Sequence, residues 1–282
     1  MKKAIYALVA AALAAVLAPA VAFAVAPAGD LTTATDVALQ TQAKKTVYVP
    51  IKVVQKISNG DGSFKTTMTA KYTYNRNGLL TKRTTKYQSG SGAMAFSYKG
   101  KNVTKVSTTS ASMKLTYKNG KKASGVFIMG DGSVSEVDET YTVRSGKLAK
   151  VKLVRWYKDS STGAWNSSTG TVTYAYKKGL PVKVTMVNGG PKVVSKYTYD
   201  KKGNLTKSKT GVASADKFAN TYDKKNLLKK RVVGDGDQVY EYTYKAVSVP
   251  SNYASTVKDQ SWAIINGMDN ALGVALGGWS IH

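Results

Sequence analysis

The stretch Tyr197-Thr198-Tyr199-Asp200-Lys201-Lys202-Gly203-Asn204-Leu205-Thr206-Lys207 decides the fold. Two tyrosines alternate with Thr198, as strand residues do when one face is apolar and the other polar. Asp200 and Gly203 then supply turn chemistry: a short side chain that bonds nearby backbone, and a residue that accepts positive φ. Leu205 opens a second strand that soon carries Lys207. The unit is a strand, a tight turn and a strand.

It recurs. Tyr72-Thr73-Tyr74-Asn75-Arg76-Asn77-Gly78-Leu79-Leu80-Thr81-Lys82 repeats it with Asn75 in place of the Asp. Looser copies are anchored at Tyr98, Tyr117, Tyr176, Tyr222 and Tyr244, and a degenerate one begins at Tyr141. The anchors at 176, 199, 222 and 244 are spaced 23, 23 and 22 residues apart, a period that marks a repeat architecture. The glycine place is filled by Gly78, Gly100, Gly120, Gly179 and Gly203, and by Asn226 after Tyr222. A second set of turns separates the hairpins, at Asn59–Gly62, Ser89–Gly92, Gly130–Gly132, Ser160–Gly163, Asn188–Gly190 and Gly234–Gly236. Turns at both ends of every strand predict an all-β fold. It is an antiparallel meander of repeated hairpins, about 14 to 16 strands, with a short C-terminal helix. Phe64, Thr66, Met68, Ala70, Tyr72 and Tyr74 are expected to share one face, and Lys65, Thr67, Thr69, Lys71 and Thr73 the other.

Four segments follow. Residues 1–24 read as a signal peptide: Lys2 and Lys3, an apolar run from Ala4 to Leu17, and Ala22-Phe23-Ala24 as the cleavage site. Residues 25–45, rich in Ala and Thr, read as a flexible lead. Residues 46–248 form the hairpin-repeat domain. In 249–282, Ser251 is the expected helix cap, Tyr253, Val257, Trp262 and Ile265 recur at helical spacing, and an apolar, glycine-rich tail follows. No membrane span is expected in the mature chain.

The charge is +26, and removing Lys2 and Lys3 leaves +24. Such a field draws polyanions. For an exported chain these are wall polymers, acidic glycans, anionic head groups and extracellular nucleic acid. The plain alternative is that the lysines form solvated outer strand faces that keep edges from pairing with other chains.

The unit Tyr-x-Tyr-Asp-x-x-Gly-x-Leu resembles the YD repeat of the Rhs-like family of bacterial secreted and surface proteins. Residues 197–207 match it closely, 72–82 match with Asn75, and 220–230 keep Tyr222-Asp223 without the Gly. The resemblance implies a β-sheet shell or extended sheet, in some members linked to carbohydrate binding and in others enclosing a toxin domain. This chain is far shorter than such shells and shows no toxin domain.

Catalytic and metal chemistry find little footing. There is no cysteine, and the one histidine is His282. Thiolate sites, zinc clusters and a Ser-His-Asp triad are thereby excluded. The Gly-Asp-Gly turns each offer one or two carboxylates, too few for calcium. Glu136, Asp138 and Glu139 form the single acidic cluster, which reads as a solvated strand end. No cofactor, metal or catalytic residue is expected. Ligand binding instead rests on tyrosines and lysines interleaved along strands: Lys71, Tyr72 and Tyr74; Lys196, Tyr197, Tyr199 and Lys207; Tyr240, Tyr242 and Tyr244. Aromatic faces stack on sugars or bases, and lysines attract anions. Trp156 and Trp165, flanking the turn at 158–163, add a contact point. The competing reading has the tyrosines packing the inner face with their hydroxyls at its rim.

The function expected from sequence is thus an exported, basic, non-enzymatic envelope protein of a bacterium that adheres to an anionic cell-wall polymer or glycan. A scaffold without a ligand, a hydrolase with an unrecognised site and an outer-membrane barrel are the alternatives. Against the last stand the basic charge, the absence of long loops and the non-aromatic final residue.

Overall fold

The computed structural model describes residues 43–266 apart from 119–120, 130–133, 145–146, 160 and 189. The signal segment, most of the lead, and the apolar tail lie outside the described residues.

Among the described residues, sixteen strands follow one another in sequence. They are β1 (Lys44–Ser58), β2 (Phe64–Tyr74), β3 (Leu80–Tyr87), β4 (Gly90–Lys99), β5 (Asn102–Thr108), β6 (Ala111–Lys118), β7 (Lys121–Met129) and β8 (Val134–Arg144). Then come β9 (Lys147–Lys158), β10 (Trp165–Lys177), β11 (Leu180–Asn188), β12 (Val193–Tyr199), β13 (Leu205–Thr210), β14 (Asp216–Tyr222), β15 (Leu228–Val233) and β16 (Gln238–Pro250). One helix, α1 (Ala254–Ile265), ends the described chain. Each strand pairs antiparallel with its neighbours in sequence, and β1 also pairs with β16, from Lys44 opposite Pro250 to Ile57 opposite Gln238. The meander therefore closes into a barrel with no free edge, which removes the hazard of edge-to-edge pairing. Whether the sheet closes was open in the sequence, because closure needs the first and last strands to match, and no local pattern encodes that.

The alternation predicted for β2 holds from Met68 to Tyr74, but a register shift against Gln55 and Lys56 breaks it before that. Thr66 falls opposite Lys56 and Lys65 opposite Ile57, so Phe64 and Thr66 leave the predicted inner face, with Phe64 44% exposed. Ala70 is fully buried and Tyr72 is 5% exposed, while Lys71 between them is exposed. The buried face is the interior, where Val53, Tyr72, Leu80, Phe96, Val103, Met113, Leu115, Leu228 and Tyr242 form one cluster with Ile264 of α1.

The repeat turns share one geometry. In all three well-matched copies the Asx side chain accepts two backbone N–H groups. Asn75 Oδ1 takes Asn77 and Leu79 at 3.0 Å each, Asp200 Oδ1 takes Lys202 at 2.9 Å and Asn204 at 3.0 Å, and Asp223 Oδ1 takes Lys225 at 2.8 Å and Leu227 at 2.9 Å. Gly78, Gly203 and Asn226 occupy the equivalent left-handed place, at φ +78°, +79° and +61°. Asn226 substitutes for glycine there because its short polar side chain tolerates that region.

All of these turns lie at one end of the barrel, and α1 lies across that end. At about 1.5 Å per residue its 12 residues span about 18 Å. Its first half packs Tyr253, Ala254 and Val257 against Val47, Val49, Leu79 and Val249. In its middle, Gln260 accepts the Leu80 N–H at 3.1 Å and donates to the Tyr98 hydroxyl at 3.0 Å. Farther along, Trp262 Nε1 donates to the Gly203 carbonyl at 2.8 Å. The expected Ser251 cap is not formed: the helix starts from Tyr253 without a side-chain cap. The physical reason is the preceding turn, in which Tyr253 N–H bonds the Pro250 carbonyl at 2.9 Å and Ser251 N–H bonds Ala43 at 2.8 Å. Ser251 is used to leave the strand, not to begin the helix.

Candidate functional site

The tyrosine hydroxyls explain why the repeat carries its aromatic where it does. Tyr74 donates to the Pro50 carbonyl, Tyr98 to Leu80 at 2.6 Å, Tyr117 to Val103 at 2.6 Å and Tyr199 to Pro181 at 2.9 Å. Each ties the end of an even-numbered strand to the preceding strand, and each of these tyrosines sits at a register shift against the following strand. Burial pushes the Tyr98 and Tyr199 hydroxyls well above the ordinary phenol range. Tyr222 departs from the pattern. Its hydroxyl bonds the Asp200 carboxylate and accepts from Asn204 Nδ2 at 3.0 Å, and burial followed by the Asp200 hydrogen bond pushes it up to about 12.

This variation belongs to a polar cluster beneath the C-terminal end of α1. There β13 and β14 share only two register pairs, Lys207 with Lys217 and Ser208 with Asp216. Side chains span the rest. Asn220 donates to Asp200 Oδ2 at 3.2 Å and to the Leu205 carbonyl at 3.1 Å. Arg231, 4% exposed, donates through Nε to Asn220 at 3.0 Å, through Nη1 to the Ile265 carbonyl at 2.8 Å and through Nη2 to Asn266 at 3.2 Å. Tyr242 also donates to Ile265, at 3.2 Å. Burial pushes the Asp200 carboxyl up, but the hydrogen bonds from Tyr222 and from the Asn204 and Lys202 amides outweigh it and hold it below its ordinary value. Every member is engaged in holding the helix and the seam. Sequence reasoning missed Asn220, Arg231 and Gln260, because nothing local distinguishes an inward polar residue from an outward one.

The expected joint surface of tyrosines and lysines is not built. Tyr72, Tyr74, Tyr197, Tyr199, Tyr240, Tyr242 and Tyr244 share the inward parity of their strands, and Tyr242 is only 9% exposed. Lys71, Lys196 and Lys207 take the other parity and are exposed outside. The pleat enforces this separation, since successive side chains point to opposite faces. Residues interleaved in sequence are thereby sorted onto two surfaces. The packing alternative describes the tyrosines.

Trp156 and Trp165 are on the exterior, 41% and 51% exposed. They occupy neighbouring strands, with Trp165 opposite Lys158 and Trp156 opposite Ser167. The turn between them is held by Asp159, whose Oδ1 accepts from the Ser161 hydroxyl at 2.6 Å and from the Ser161 and Thr162 amides at 2.9 Å each. Those bonds, the Ser161 hydroxyl first, lower the Asp159 carboxyl to about 2. A depressed carboxyl contributes order that is complete above its ordinary value near 3.8 and lost as pH falls through about 2. The Asp159 carboxyl resonance is expected to titrate with a midpoint near 2, and Asp159→Asn to remove that titration. A midpoint near 3.8 would show that the bonds are not kept in solution.

The exterior has a feature that periodicity hid. Lysines stand directly opposite lysines across the ladder: Lys52 with Lys71, Lys105 with Lys114, Lys183 with Lys196, Lys196 with Lys209, and Lys207 with Lys217. All nine side chains are exposed. Like charges placed directly opposite are destabilising. Acidic residues do little to offset them: Asp61, Asp159, Asp200 and Asp223 are occupied in turns. On the outer face, Lys56 pairs with Glu241 at 2.8 Å.

Fold and surface together define a closed 16-stranded antiparallel barrel, capped at one mouth by a helix and lysine-rich outside. No protein-family model matches this chain, and no curated protein matches its sequence. Among solved structures, a porin-like protein from Bacteroides uniformis ATCC 8492 aligns at 13% identity with a TM-score of 0.49, over 70% of this chain and 98% of that one.

Proposed function

We propose that this is an exported, non-enzymatic β-repeat protein of the bacterial envelope or its surroundings, whose outer face binds an anionic cell-wall polymer or glycan. The observation that carries the reading is the set of opposed, exposed lysines. A sheet that sets like charges against one another is relieved when a polyanion supplies the counter-charge. The export signal supports the location, and the three matching Asx turns support kinship with YD-repeat proteins. Exposed Trp156 and Trp165 offer the outer surface an aromatic contact for a sugar ring. Among the described residues no helix is long and apolar enough to cross a membrane. A lipid-embedded barrel turns an apolar band outward, whereas here the outward positions of β2 include Thr66, Thr69, Lys71 and Thr73.

The test is co-sedimentation of residues 25–282 with purified cell walls at rising salt. Binding at low salt that falls away steeply is the expected result, because exposed charges more than about 10 Å apart are screened at 0.1 M. Absence of binding at low salt would overturn the reading and leave a ligand-free scaffold.

A further inference from the structure

Resting on that reading, we propose that the outer face of β11–β13 holds a groove for a linear phosphodiester polymer with a polyol backbone, recognised by its charge spacing. Lys183, Lys196 and Lys209 stand in one row, each directly opposite the next across three adjacent strands. With strands about 4.8 Å apart, the row spans about 10 Å and crosses the strands at right angles. Together with Val194 and Gly211 these lysines line a groove of about 380 Å³. Gly211 keeps one wall low: its N–H bonds the Val194 carbonyl at 2.9 Å, and a Cβ built there meets nothing within 4 Å.

The side-chain types select the ligand class. Lysine is a compact point charge that reads anion density, whereas arginine's planar fork reads carboxylate or phosphate geometry. Three lysines and no arginine line the groove, so a chain of repeated anions satisfies it better than one oriented group does. The outward positions of these strands are Lys183, Thr185, Val187, Val194, Lys196, Thr198, Lys207 and Lys209, with no aromatic among them. Single-stranded nucleic acid is held by stacking its bases on aromatic rings, and in these strands the tyrosines face inward. A phosphodiester polymer without bases fits the surface that remains.

The experiment titrates residues 25–282 with poly(glycerol phosphate) and with single-stranded DNA of equal phosphate count, across a salt series. The groove variant Lys183→Gln/Lys196→Gln/Lys209→Gln is compared with Lys52→Gln/Lys71→Gln/Lys114→Gln, which removes the same charge elsewhere on the barrel. The groove variant is expected to weaken poly(glycerol phosphate) binding at least tenfold and to lower the salt slope by about two to three phosphate contacts. The control is expected to change it less than threefold. Gly211→Asn, which keeps the charge and suits the left-handed backbone, is expected to weaken binding about threefold by occupying the groove. Equal losses in both triple variants would overturn the groove while leaving the wider charge reading in place. DNA binding as tight as the polyol polymer would overturn the ligand class. A wild-type chain that sediments with walls yet ignores poly(glycerol phosphate) would overturn the groove's ligand alone.

Discussion

Replacing Arg231 by Ala is expected to lower the unfolding free energy by about 3–5 kcal/mol, the range for stripping one partner from a buried charged contact. Arg231 is 4% exposed, and its guanidinium makes three hydrogen bonds, each with a different task. Nε holds Asn220, which in turn spans the sparsely paired β13–β14 seam. Nη1 takes the carbonyl of Ile265, the last residue of α1, where the helix dipole is negative. Nη2 takes Asn266 Oδ1, the same oxygen that accepts the Leu205 N–H at 3.1 Å. Hydrogen bonds to a charged group are worth about 1.5–3 kcal/mol each and are not additive here, since the acceptors share partners. At roughly 2–4 °C per kcal/mol for a chain of this size, Tm should fall by about 6–20 °C. Amide exchange distinguishes the cause: the Leu80 and Leu205 N–H groups, which bond Gln260 and Asn266, should lose protection first. Arg231→Lys keeps the charge without the fork and should recover less than half of the loss. A loss under about 1 kcal/mol for Arg231→Ala would show that the helix is held by its apolar face alone.

The parts of this protein that sequence disclosed are those encoded within a dozen residues. The Tyr-x-Tyr-Asx unit carries its own turn, because the Asx oxygen, the two amides it accepts and the left-handed residue all lie within five positions of one another. Alternation then assigns Ala70, Tyr72 and Tyr74 to one face. What escaped was encoded between distant residues. Barrel closure joins Lys44 to Pro250, and the helix dock joins Gln260 to Leu80. The predicted binding surface failed for a more instructive reason. Lys196 and Tyr197 are adjacent in sequence, and adjacency on a strand guarantees opposite faces. The contacts that do form among lysines, such as Lys183 with Lys196 and Lys196 with Lys209, depend on register, which the hydrophobic pattern fixes only once the neighbouring strand is known.

Register and turn meet again at Gly78, where Gly78→Ala is expected to cost about 2–5 kcal/mol: about 1–2 for the left-handed backbone and the rest for overpacking. The backbone there has φ +78°. A Cβ at Gly78 would stand 2.4 Å from Val249 Cγ1 and 3.1 Å from Val257 Cγ2. Neither valine can yield easily, since a β-branched side chain has few rotamers and both are fully buried beside Leu79. The turn must therefore lift away from α1, and the Leu80 N–H bond to Gln260 goes with it. Gly62→Ala separates the two contributions. Its φ is similar, at +85°, but nothing lies within 4 Å of its Cβ, so only the backbone cost of about 1–2 kcal/mol should appear. The decisive measurement is the double-mutant cycle with Val249→Ala, read as denaturant midpoints. If the clash is real, Val249→Ala should cost less on the Gly78→Ala background than alone, by about 1 kcal/mol or more. Strict additivity would mean that the turn does not press on the helix. The equivalent turn at Gly203 meets only Leu180 and Trp262, at 3.7 Å or more, so Gly203→Ala should resemble Gly62→Ala. The same motif thus has unequal weight in its two best copies. The difference lies in the neighbour: Gly78 abuts the buried start of α1, whereas Gly203 meets its half-buried Trp262.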